Sequence, residues 1–202
     1  MRSRSAALVG SLGTLAILAV AGLVYVRVTG LRASAQPSAG EAALARGVRR
    51  LAIPSADARR VNPVAASDAV LAEGLAHYAD HCASCHAIDG SGNTELGRGL
   101  FPEAPDMRGA PTQSMTDGEL FYVIEHGIRF TGMPAWTTGT ADGETASWQL
   151  VHAIRRLPRL TAVERGRMET LTPRSPEAVR QEIEEEEFLN GGDEPPPSTH
   201  PH

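Results

Sequence analysis

Uncharged residues run without a break from Ala6 to Val26, with Arg2 and Arg4 before them and Arg27 after. The run of 21 positions is apolar all round. At about 1.5 Å per residue it spans the roughly 30 Å core of a bilayer as one helix. From Ser67 the pattern becomes amphipathic. Ser67 stands as an N-cap before Leu71, Leu75, Tyr78 and Cys82, which recur at helical spacing. Gly74 lies beside that stripe, where it either lets a second helix approach closely or is merely tolerated. Thr116 to Glu119 reads as a capping box, opening a helix with Leu120, Phe121, Val123, Ile124 and Ile128 and an exit at Gly127. A third helix is predicted from Asp142 to Leu157, with Trp148, Val151 and Ile154 on one stripe and Pro158 as its stop. Ala87 to Pro111 is irregular.

Charge divides the chain. Residues 1–66 carry nine Arg against two acids, 67–157 five against twelve, and 158–202 five against ten. This predicts a signal anchor or transmembrane segment at 1–35, a linker at 36–66 with one short helix near Glu41 to Leu51, a domain at 67–158, and an acidic tail at 159–202. The N-terminal run has two readings. It is longer than the usual signal-peptide core of about 7–15 residues, which favours an uncleaved anchor. Ala33-Ser34-Ala35 before Gln36 is an A-x-A cleavage pattern, which favours a removed signal, although Arg27 and Arg32 intervene. Either way the rest of the chain is exported. Every basic residue is Arg, and no basic stripe with interleaved aromatics supports nucleic-acid binding.

Both cysteines lie in His81-Cys82-Ala83-Ser84-Cys85-His86. C-x-x-C-H is an attachment signature for c-type haem. Two thiols three positions apart reach the same porphyrin edge, and His86 then falls beneath the ring with its imidazole aimed at iron. A thioredoxin-like site needs a surrounding βαβ pattern, and a zinc site needs a second pair of ligands; the sequence offers neither. Export and a small domain that gains from a large apolar group both favour haem. The carbonyl of Pro102 or of Pro105 is placed to accept from the other ring nitrogen of His86.

For the opposite side of the iron, Thr131-Gly132-Met133-Pro134-Ala135-Trp136 places Met133 in a Gly/Pro loop from which a thioether can reach over a ring. Met107 and Met115 lack that setting, and Met168 lies beyond the expected domain. His126 and His152 read as structural or surface residues. Trp136 is a candidate for the haem edge or a propionate.

With these residues the chain resembles class I monohaem cytochromes c over about Ser67 to Pro158. The resemblance rests on the C-x-x-C-H motif, on Gly132-Met133-Pro134 some 47 positions after His86, and on Trp148 in the closing helix. It implies an all-α small cytochrome c fold, about three main helices around one covalently bound haem, with terminal helices crossing near Gly74 and Trp148. It implies His86/Met133 coordination of the iron and single-electron transfer without substrate turnover. The expected partners are a respiratory dehydrogenase, oxidase or cytochrome complex, met at the periplasmic face of the inner membrane. After signal cleavage the protein would instead be soluble in the periplasm. A subunit dedicated to a larger dehydrogenase or oxidase is the alternative.

In the tail, Ser175-Pro176-Glu177 opens a helix rich in Glu, on which Ile183 and Phe188 are candidate docking residues. Asp193 to His202 is Pro-rich and reads as disordered, with His200 and His202 a weak metal candidate.

Overall fold

The computed structural model describes residues 2–30, 32, 35–172 and 176–189. Its α-helices in chain order are α1 (Arg2–Thr29), α2 (Ala39–Ala52), α3 (Ser55–Ala58), α4 (Asp68–His77), α5 (Ala83–His86), α6 (Glu95–Gly99), α7 (Ala110–Gln113), α8 (Asp117–His126), α9 (Ala141–Arg156), α10 (Ala162–Leu171) and α11 (Pro176–Leu189). A π-helical turn, Tyr78–Cys82, joins α4 to α5, and a 3-10 turn, Leu157–Arg159, follows α9. No strand occurs among the described residues, so the fold is all-α there.

The caps read from the sequence are in place. The Ser67 side chain accepts from the Val70 N–H, and Thr116 and Glu119 close a reciprocal capping box at the start of α8. These bonds satisfy donors that the first helical turn leaves open.

The centre of the molecule is the crossing of α4 and α9. A Cβ on Gly74 would lie 2.3 Å from the Gln149 carbonyl oxygen, so only glycine lets the two backbones approach this closely. Around the crossing, Tyr78, Trp148, Val151 and Met168 are almost wholly buried. Phe121 of α8 stacks on Trp148 with ring centroids 4.0 Å apart. Such a pair adds roughly 0.5–1.5 kcal/mol beyond the area it buries.

The packed body is wider than the 67–158 expected from the sequence, at both ends. Upstream, Ile53 is buried, and α3 leads into a strap that crosses the aromatic pair. The Arg60 guanidinium sits 4.4 Å from the Phe121 ring centroid and 5.2 Å from that of Trp148, and it pairs with Glu144. Asn62 donates to the Trp148 carbonyl at 3.0 Å, the Thr116 hydroxyl donates to the Ala58 carbonyl at 2.6 Å, and a His152 ring nitrogen meets the Val64 carbonyl at 2.8 Å. The stretch read as a linker is therefore fastened to α8 and α9 from Ile53 onward. Downstream, α10 packs on α4 and on the π turn, with Met168 in the core. The Arg156 side chain bonds the Glu164 carboxylate at 2.9 Å and fixes this helix to the end of α9.

The remaining helices are largely outside that core. α1 is exposed from Gly10 to Val28 and is long and apolar enough for a membrane anchor or a signal sequence. On α11, Ile183 and Phe188 are exposed. Ala33 and Ser34 of the cleavage pattern, Ser175, and the segment from Asn190 to His202 with its two terminal histidines lie outside the described residues.

Candidate functional site

The stripe Leu71, Leu75, Tyr78 and Cys82 presumes one continuous α-helix. The structure instead widens the backbone at Tyr78–Cys82, where the Ala83 N–H reaches back to the Tyr78 carbonyl. One extra residue in a turn rotates everything after it relative to an α-helix. Ala79 and Ala83 consequently take the innermost positions, and Cys82 and Cys85 come to lie half-buried at the edge of the core. Nothing in the residue pattern announces this turn.

The backbone that follows the second cysteine is held carbonyl by carbonyl. The Thr94 hydroxyl donates to Cys85 O at 3.1 Å, the Gly92 N–H to His86 O at 2.8 Å, and the buried Tyr78 hydroxyl to Ala87 O at 2.9 Å. Ala87 adopts φ +59°, which turns the chain sharply away from His86. For a residue with a Cβ this conformation carries about 1–3 kcal/mol of strain. The loop then closes on itself, the Ala104 N–H bonding Gly97 O at 2.9 Å and the Met107 N–H bonding Gly90 O at 2.8 Å.

Burial lowers the pKa of His86, and the Pro105 carbonyl facing the ring opposes that shift without outweighing it. The imidazole is thus neutral at neutral pH, the state in which it can ligate a metal. Its Nδ1 is buried and makes no hydrogen bond of regular geometry. Of the two prolines singled out in the sequence, Pro105 is the one that acts on His86. Burial, with Cys85 beside it, pushes the Cys82 thiol up to about 12. A redox-active C-x-x-C pair has a lowered thiol pKa, so this pair lacks that character.

Met133 lies on a different loop, which the structure folds back to the end of α8. Gly127 ends that helix with a positive φ. The Ile128 N–H then bonds Met133 O at 3.1 Å, the Met133 N–H bonds the Thr131 hydroxyl at 3.1 Å, and the Trp136 N–H bonds Ile124 O at 3.1 Å. Two contacts carry this loop to the cysteine motif. A Cβ on Gly132 would lie 2.6 Å from a methyl of Leu100, so the loop lies flush against the residue that follows α6. The Trp136 ring meets the His81 ring edge-on at 5.4 Å. Met133 is half-buried, whereas Met107, Met115 and Met168 are all enclosed in the core. His126 is exposed beside Tyr122, and His152 is taken up by Val64. Leu96, Phe101 and Phe130 stand exposed in the segments on either side.

The residues present fit a covalently held porphyrin: two unpaired cysteines, a neutral half-buried imidazole whose enclosed Nδ1 makes no regular hydrogen bond, and exposed apolar side chains nearby. Residues 69–151, rather less than half of the chain, match the family model of cytochrome c oxidase, cbb3-type, subunit III. That family implies covalently bound haem c with its iron, and the match supports a c-type cytochrome domain, built for haem-based electron transfer, over these residues.

Proposed function

We propose that Cys82 and Cys85 hold a single haem through thioether bonds, that His86 and Met133 are its axial iron ligands, and that the chain passes single electrons at the periplasmic face of the membrane. The observation that carries this reading is the His86 imidazole: neutral, half-buried, anchored through its own carbonyl, and with its enclosed Nδ1 in no hydrogen bond of regular geometry. When bound, the haem supplies a reversible one-electron change at its iron. The chain's own residues do the rest. Burial keeps a lone pair on His86 available without release of a proton. The Pro105 carbonyl beside the ring is the acceptor that selects its tautomer. Tyr78, Gly92 and Thr94 stop the ring from swinging by holding the carbonyls of residues 85 to 87. Leu96, Leu100, Phe101 and Phe130 supply apolar surface that excludes water. A Met133 thioether bound to the iron would favour the reduced state and so raise the potential.

Export is supported by α1, which serves as an anchor if retained and as a signal if cleaved. The surplus of acids in residues 67–157 suits a partner with a positive patch, docking transiently. A second reading, a subunit dedicated to a terminal oxidase, is favoured by the family that the domain matches. Gentle solubilisation followed by purification separates the two. A stoichiometric large subunit identifies the dedicated subunit, and a lone haemoprotein with salt-sensitive electron exchange identifies the carrier. A purified full chain carrying no covalent haem would sink both.

A further inference from the structure

α2 is a helix whose two sides face different surroundings. On one side Arg49 is half-buried and Ile53, directly after the helix, is buried against the domain. On the other, Leu44, Val48 and Leu51 recur at helical spacing and stand 70 %, 55 % and 88 % exposed among the described residues. Arg50, one position before Leu51, lies to one side of this stripe and is exposed too, whereas Arg46 is on the opposite face. The helix begins nine residues after α1 ends, so its start lies within about 30 Å of the membrane span. The contact is in fact closer. The Tyr25 hydroxyl, in the last turns of α1, donates to the Glu41 carboxylate in the first turn of α2 at 3.1 Å. Tyrosine is favoured at the level of lipid headgroups.

We infer that α2 lies on the outer surface of the bilayer that α1 crosses, with Leu44, Val48 and Leu51 in the acyl boundary and Arg50 among anionic headgroups. This rests on the reading of α1 as a retained anchor. A basic helix with one apolar stripe has the composition of an interfacial element. Each arginine close to an anionic surface strengthens binding by about fivefold. The Arg-rich stretch also stands between the acidic haem domain and acidic lipid, screening one from the other.

Hydrogen exchange read by mass spectrometry on the full-length holoprotein in nanodiscs tests this. Phosphatidylcholine discs are compared with discs containing phosphatidylglycerol. Residues 39–52 gain amide protection in the anionic discs, the gain falls about fivefold for Arg50→Gln, and Leu44→Ser/Val48→Ser/Leu51→Ser abolishes it while 141–156 exchange as before. Unchanged exchange at 39–52 in both lipids, with 10–28 fully protected, overturns the inference and leaves the anchor standing. Loss of protection at 10–28 itself removes the anchor reading. Protection at 39–52 that rises with the number of chains per disc, whatever the lipid, assigns the stripe to a second copy and overturns the inference.

Discussion

The two sides of the site are built to different standards. Around His86, three successive carbonyls accept bonds from Thr94, Gly92 and Tyr78, and the imidazole is half-buried with its Nδ1 enclosed. Around Met133, bonds to Ile128, Thr131 and Ile124 hold the loop, but Pro134 and Ala135 are exposed, and Phe130 is 92 % exposed with φ +62°. One side is pinned at each successive carbonyl and the other stands open between its points of attachment. A ligand on the first side is expected to survive perturbation, and a ligand on the second to exchange. The contrast suits an electron carrier, since the proposed thioether bonds would retain the haem even when the weaker ligand is disturbed.

The most drastic way to break the contrast is to remove the covalent hold. Cys82→Ala/Cys85→Ala is expected to abolish haem staining on denaturing gels completely. Retention of stain would refute the attachment assignment. Next, Met133→Ala should leave covalent haem and helicity intact while the sulfur-to-iron absorption disappears and the reduction potential falls. His86→Ala should instead prevent a stable holoprotein from accumulating, and equal damage from both variants would erase the difference between the sides. Gly74→Val probes the scaffold common to both. With no room for a side chain beside the Gln149 carbonyl, it should cost about 1–3 kcal/mol in denaturant unfolding. Phe130→Gly relieves a left-handed residue that packs against little, and should stabilise by about 1 kcal/mol if the Met133 loop is locally strained. The smallest effect concerns acid. Bonding to Arg108 lowers the pKa of Asp106, so the stability it contributes is full above the ordinary carboxylate pKa and is lost as pH falls through the lowered value. Because the pair is exposed, Arg108→Gln should flatten acid unfolding near pH 4 only slightly, by under about 1 kcal/mol.

Features that depend on neighbours along the chain were readable from residues alone. Ser67, Thr116 and Glu119 form caps through bonds three residues long, and Cys82, Cys85 and His86 announce themselves by spacing. The crossing at Gly74 was one of two open readings, and it took Gln149 opposite to decide between them. Two other features had no local sign. The π turn brings Ala79 and Ala83 inward after Tyr78, where α10 packs on it. The strap reads as a linker from residues alone because its bonds join Asn62 and Trp148, 86 positions apart. Met168 reads as lying beyond the domain for the same reason, since only α10 folding back onto α4 encloses it. Residues 36–66 are rich in Ala, Arg, Pro and Ser, and that composition does not show which of them will find a partner so far away.

That strap also decides how far the haem can roam. If residues 30–66 were free, a domain on a retained anchor could sweep a radius of about 125 Å from the membrane. With the body fastened from Ile53, what remains is the stretch before α2 and α2 itself, a leash of about 50 Å fully paid out. A roughly fifteenfold smaller volume raises the effective concentration of a co-resident redox partner by the same factor. The price is a shorter list of partners: only those whose electron port opens close to the membrane surface lie within reach.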